Sequence, residues 1–428
     1  MPLHTAVSKS WDMELPERTQ AGPSGSPGMK RRIVWGPVIG FGLVSLAADV
    51  VSDGARPLAG PLLAQLGASA LLVGLVTGGA EAAAQGLRLV FGPWSDRTGK
   101  YWTFTLAGYT LTAVCVPLLA LAPLAGAAGL ALASVLIIGD RVGKAVRSPA
   151  KTVLLAAAAK PVGRGRGFAV HKSLDLAGAL LGPLLVAAVL AATGLISAAF
   201  AVLAIPAAAA LALLAWLRRR VQDPGNSRPA ATTASGGATD AAGHPPSLFT
   251  GRFVLFAVAA FFWSAGLVAF GVISFHLTTT VAVPVAVVPL LYAGAMASAA
   301  LGALASGVLY DRAGAAVLLG LPLLIAAVPV LALAPGAGLV LAGVLVWGAA
   351  TGMQDSTVKA LIADLVPEFR QGTAYGVFAA FEGAGALAGG ALYGALYGSR
   401  PLLIAAVAIL QAVAVVVLLV TLRKSGRP

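Results

Sequence analysis

Ionisable residues at one-turn spacings inside apolar runs are the feature of this chain that could do chemistry. Asp49, Asp53 and Arg56 stand at i, i+4 and i+7, and Glu81, Gln85 and Arg88 repeat that spacing. Asp140, Lys144 and Arg147 do so again, with Arg141 beside them, and His171 lies four residues before Asp175. Residues so spaced share one face of a helix. A sparser set, Gln354, Asp355 and Lys359 followed by Glu382, recurs in the second part of the chain. Burial and a nearby cation act on a carboxylate in opposite directions, so a buried acid with basic neighbours can take up and release a proton as its partners move. Asp49, Asp53 and Glu81 are the foremost proton-site candidates. The alternative is ion pairing that only joins helices.

Other chemistries lack their residues. Cys115 is the single cysteine, so no intrachain disulfide, thiolate zinc cluster or iron–sulfur site is expected. His4, His171, His244 and His276 are scattered, with no HExxH spacing. His276 reads as interfacial. Gly163-Arg-Gly-Arg-Gly167 lacks the strand–helix setting of a dinucleotide site, and no Walker A motif occurs. No metal, no cofactor and no enzymatic activity are therefore expected.

The elements that must position these charges follow from composition. Of 428 residues 58% are hydrophobic and only 11% are charged, against about 25% charged in soluble domains. Spans of about 20 apolar residues occur near 33–64, 69–94, 101–122, 126–152, 166–192 and 195–217. They recur near 253–277, 283–309, 315–334, 338–366, 373–398 and 400–422. The reading is an all-α membrane protein of twelve transmembrane helices in two six-helix repeats. Residues 1–32 read as a disordered N-terminus, 33–217 as the first bundle, 218–252 as a Pro/Gly/Ser-rich linker, 253–422 as the second bundle and 423–428 as a tail. No apolar stretch in the first 29 residues reads as a cleavable signal peptide.

Charge sets the expected orientation. The even-numbered connections carry Arg97 and Lys100; Lys160, Arg164 and Arg166; Arg218, Arg219 and Arg220; Arg312; and Arg370. The odd-numbered ones carry no Lys or Arg, Arg400 lying beside the last. The positive-inside rule then places both termini in the cytoplasm. The net charge of +13 is thus a membrane-edge property, and no nucleic-acid partner is expected.

The two groups of spans are related in sequence. A shift of 207 superposes Asp175 on Glu382, Gly178 on Gly385 and Gly182 on Gly389; one of 215 superposes Gly92 on Gly307, Asp96 on Asp311, Arg97 on Arg312 and Gly99 on Gly314. Repeats of this kind place a site at their interface near the bilayer midplane.

The loop Gly92-Pro-Trp-Ser-Asp96-Arg97-Thr-Gly99-Lys100 resembles the cytoplasmic motif between helices two and three of the major facilitator superfamily, and Gly307–Gly314 repeats its core without the closing basic residue. The stretches around Arg141–Lys151, Gly163–Pro183 and Val366–Gly376 resemble a bacterial branch of that superfamily whose substrates are uncharacterised. The resemblance implies alternating access, with Asp96, Arg97, Asp311 and Arg312 as cytoplasmic gate residues and Arg147 as a gate partner. Gly178-x-x-x-Gly182-Pro183 resembles part of an antiporter motif, although Leu184–Ala187 replaces its closing glycines. The glycine ridges Gly385/Gly389 and Gly390/Gly394/Gly398 suit close helix packing or a rocking interface. Phe262, Trp263, Phe270 and Tyr292 could line a cavity or simply pack. The expected function is proton-coupled export of a small organic solute by a monomer in the bacterial plasma membrane, in contact with the lipid bilayer. The alternatives are proton-coupled uptake or a receptor of the same fold that moves nothing.

Overall fold

The structure, a computed structural model, describes residues 27–221, 251–366 and 371–423. Most of the expected N-terminal segment, the linker and the tail, together with Glu368 and Arg370, lie outside the described residues. Every regular element among those described is helical: α1 (Pro27–Ala55), α2 (Ala59–Gln65), α3 (Ala70–Gly86), α4 (Arg88–Thr98), α5 (Tyr101–Leu118), α6 (Gly129–Ala159), α7 (Arg164–Thr193), α8 (Ile196–Val202) and α9 (Ala204–Arg218) precede residue 221. After residue 251 come α10 (Gly251–Gly266), α11 (Phe270–Thr279), α12 (Val288–Ala313), α13 (Gly320–Ala332), α14 (Ala337–Leu365), α15 (Gln371–Ala395) and α16 (Arg400–Arg423). α1 begins at Pro27, so residues 27–32, expected to be disordered, are helical. Proline suits the first helical position, where its missing N–H is no loss.

Ten stretches of the described residues are long and apolar enough to cross a membrane. One of them, Val285–Ala332, contains both α12 and α13 and is interrupted at Gly314, which has φ of +63°. Gly99 at the end of α4 has φ of +65°, so two glycines superposed by the 215-residue shift share a positive φ that favours glycine, although their ψ angles differ. α15 is absent from the ten because glycine, Gln371 and Glu382 dilute its apolar content.

Four long runs of the described residues are interrupted in mid-course, one of them at Leu203 between α8 and α9. α1 gives way at Pro57 to a short 3-10 turn, Arg56–Leu58, before α2. α3 and α4 are separated at Leu87, and α10 and α11 at residues 267–269. Freed carbonyls in such breaks need donors when water is excluded. Tyr393 donates through its hydroxyl to the Gly266 carbonyl at 2.7 Å, and the Trp347 indole N–H donates to the Val268 carbonyl at 2.8 Å.

Glycine determines how closely the helices approach. On α7, Gly178 and Gly182 face the α1 backbone around Leu46 and Val50. α15 carries two glycine faces. Gly385 and Gly389 meet Ser264 and Ala265 of α10, while Gly390 and Gly394 meet Gly74, Gly78 and Leu71 of α3. α3 and α15 thus join the helices before residue 221 to those after 251, backbone against backbone.

Candidate functional site

The interruption at Pro57 delivers Arg56 to a cavity between the two helix groups. Its wall is formed by Ser52, Arg56, Thr77, Glu81, Asp140 and Arg141, by Val116, Leu119 and Ile137, and from beyond residue 251 by Ala269, Phe270 and Gly271. The α10–α11 break places these last three. The cavity has a volume of about 40 Å³.

Arg56 is the hub of the polar groups. One terminal nitrogen donates to Glu81 Oε1, and the other donates to the Tyr292 hydroxyl at 3.5 Å and lies 4.0 Å from Asp53 Oδ1. Tyr292 in turn donates to Asp53 Oδ1 at 3.1 Å. Tyr292 belongs to α12, so its phenol joins the second helix group to a cluster otherwise built on α1 and α3. Ser52 donates to Asp140 Oδ1 at 3.0 Å, and Arg141 Nε lies 3.6 Å from Asp140 Oδ2. Asp53, Asp140 and Arg141 are buried; Arg56 and Glu81 keep partial access to the cavity.

Toward the uncharged connections α2 packs on α11, and Gly60 lies against the Gly271 carbonyl, the Ser274 hydroxyl and the Phe275 N–H, where a Cβ could not fit. At that end His276 is buried. Its Nε2 lies 3.0 Å from the Ala334 carbonyl and its Nδ1 2.8 Å from the Tyr397 hydroxyl. A carbonyl can only accept, so Nε2 carries the proton and Nδ1 accepts from Tyr397.

The other candidates lie nearer the basic connections. Asp49 is half-buried, within electrostatic reach of Asp53, Asp175, Lys144 and Lys151. His171 Nδ1 is 3.5 Å from Asp175 Oδ1, as their spacing implies. Gln354 donates to Glu382 Oε1 at 2.7 Å, whereas Asp355 is exposed and pairs along its own helix with Lys359 at 3.7 Å. Arg88 is half-buried, and its Nε has no hydrogen-bond partner.

The gate residues separate. Asp96 is exposed at the end of α4 and accepts from the Tyr101 hydroxyl at 3.2 Å. Gly99 ends α4, with Lys100 exposed after it, and Gly92 lies near Pro149. Arg97, Asp311 and Arg312 are exposed. Arg147 does not join them. Its Nη1 donates to Thr112 at 2.5 Å and its guanidinium lies 4.8 Å from the centre of the Tyr109 ring. Gly108 and Gly143 bring α5 and α6 together beside it, so the side chain is held within that helix pair.

Sequence reasoning passed over Ser52 and Thr77, although each neighbours a singled-out acid, at one residue from Asp53 and one turn from Glu81. Phe270 lines the cavity and Tyr292 joins its cluster, while Trp263 packs on Phe256 and Phe378. Tyr292→Phe removes two hydrogen bonds and keeps the ring, so thermal unfolding should show a loss of about 1 kcal/mol per bond without loss of fold. An unchanged melting temperature would mean that the phenol contributes nothing.

The sequence profile of the Major Facilitator Superfamily matches residues 41–334 and 254–428. An uncharacterized protein of Mycobacterium bovis is 49% identical over 368 residues, covering 85% of this chain and 87% of its own length, and one of Mycobacterium tuberculosis matches to the same extent. An uncharacterized MFS-type transporter of Methanocaldococcus jannaschii is 29% identical over 142 residues, 33% of this chain and 34% of that protein. Among solved structures, a point mutant of the nucleoside transporter NupG superposes with a TM-score of 0.71 at 13% identity, covering 90% of this chain and 99% of that one. A D-xylose-proton symporter does so with 0.66 at 16% identity, over 92% and 97%. Identities this low speak for the fold alone.

Proposed function

This chain belongs to the Major Facilitator Superfamily, a family of non-enzymatic membrane transporters, and from that premise we propose that it moves a small organic solute by proton-coupled alternating access. The observation that carries this reading is the Asp53–Arg56–Glu81 cluster, set at a helix interruption on a cavity between two helix groups and touched by Tyr292 from the far group. Discontinuous spans at a repeat interface are where such transporters hold substrate and coupling ion.

In this reading α12 and α13 cross separately and α15 crosses as well, which brings the ten apolar stretches to twelve spans. Residues 33–217 and 253–422 are the two six-helix halves of a monomer. Both termini lie in the cytoplasm of a bacterium, because the basic connections share one face. Asp96, Arg97, Asp311 and Arg312 work at that face with Gly92, Gly99 and Lys100. Lys144, His171, Asp175, Asp355, Glu382 and Arg88 line the approach from it to the cavity.

Export in exchange for protons is the direction supported by the partial Gly178–Pro183 motif. Proton symport is the second reading, favoured by the Asp140–Arg141 pair. An anion that draws Arg141 away leaves Asp140 to be neutralised by a proton, so anion and proton would travel together.

Proteoliposomes loaded with a labelled solute test the proposal. Asp49→Asn, Asp53→Asn and Glu81→Gln are each expected to abolish flux driven by a pH gradient while leaving solute exchange intact. Normal driven flux in all three would remove the proton assignment. A solute that binds tightly and is never moved would favour the receptor reading instead.

A further inference from the structure

The transporter reading leaves the solute unnamed, and the cavity wall bears on its chemistry. Each carboxylate there already has a donor: Asp140 accepts from Ser52, Asp53 from Tyr292 and Glu81 from Arg56. Arg56 donates to Glu81 and Tyr292. Arg141 differs. It is only 5% exposed and lines the cavity, yet among the described residues it makes no hydrogen bond, and its one ionic contact is the 3.6 Å approach of Nε to Asp140. Lys144, three residues further on the same helix, forms neither a hydrogen bond nor an ion pair among the described residues. Among the polar side chains that line the cavity, Arg141 is therefore the one that makes no hydrogen bond, and what it offers is a set of cationic donors.

A guanidinium carries five N–H donors in a planar fork that matches two oxygens of a carboxylate. Burying such donors without acceptors is costly, and a few waters are poor substitutes for an anion. The surroundings are apolar: Val116, Leu119, Ile137 and Phe270 share the cavity with Arg141. An organic cation would meet acids that already hold Ser52, Tyr292 or Arg56, whereas an anion meets in Arg141 a fork with no hydrogen bond and a single ionic contact.

We propose that Arg141 binds the carboxylate of a small organic acid whose apolar body lies against Ile137 and Phe270. The proposal rests on the transporter reading for the use of the cavity, and concerns the charge of what enters it.

The test measures binding to the purified full-length protein in lipid nanodiscs, by thermal shift and equilibrium binding at constant pH and ionic strength. The probes are benzoate and octanoate, their amides, and benzylammonium. At least one carboxylate should raise the melting temperature while its amide and benzylammonium do not. Arg141→Gln should weaken that carboxylate by about tenfold or more, and Arg141→Lys, which keeps the charge but loses the fork, by less. Should Arg141→Gln fail to fold, Asp140→Asn decides: removing the competing acid should tighten carboxylate binding. No response to either carboxylate, an equal response to acid and amide, a preference for benzylammonium, or unchanged affinity in the decisive variant overturns the proposal. Carboxylate binding with no counterflow of any solute would leave this assignment standing and remove the transporter reading.

Discussion

Arg56→Met is expected to abolish transport and to lower stability by about 2 kcal/mol, less than breaking a fully buried ion pair costs because both side chains keep partial access to the cavity. The substitution keeps an unbranched apolar side chain at the helix interruption. Among the described residues it leaves Glu81 with no cation in contact and takes from Asp53 its only basic neighbour within 4.0 Å. The penalty comes from the acids left behind, so it should be relieved by neutralising one of them. Arg56→Met combined with Glu81→Gln should regain more than half of the lost stability in thermal unfolding, and still carry no pH-driven flux. That combination separates folding from coupling, because contacting pairs are non-additive. Additive losses in the double variant would show that the Arg56–Glu81 contact is energetically idle.

The second large effect concerns the boundary between the helix groups. A Cβ on Gly390 would come within 3.0 Å of Gly78 Cα, and one on Gly394 within 2.6 Å of Leu71 Cα. Gly390→Val therefore forces α15 away from α3. Overpacking of this sort costs about 1–3 kcal/mol, and the cost falls on the contact that joins the two groups. Counterflow should drop to below about a tenth of the parental rate while each group of helices stays folded. Gly389→Val makes the contrast. Its Cβ would lie 2.5 Å from the Ala265 carbonyl oxygen of α10, so it strains packing within the second group and should lower the yield of monodisperse protein. If Gly390→Val transports at the parental rate, α3 and α15 are not a moving boundary.

Much of this arrangement is legible in the sequence because charge is so scarce in it. The i, i+4, i+7 sets place Asp53 and Arg56 on one face, and with Glu81 they meet in space as the spacing suggests. Gly99 and Gly314 are readable as a matched pair, since a positive φ favours glycine. What escapes is whatever depends on distant partners. The α10–α11 interruption has no proline; it is held by Trp347 and Tyr393, 79 and 127 residues away. Helical spacing gives Arg147 a face but not the neighbour on that face, which proves to be α5 rather than the gate. The glycine ridges of α15 are visible as two series, yet only packing shows that one faces α10 and the other α3.

Tyr292 is a residue of one helix group hydrogen-bonded to an acid of the other. Any movement that withdraws α12 takes that donor from Asp53. Thermodynamic reciprocity then fixes the converse: whatever competes with Tyr292 for Asp53 must shift the balance between the joined and withdrawn arrangements by the same factor. A single phenolic hydroxyl would thus set the exchange rate between chemical potential and shape, and measuring either side of that equality would give the other.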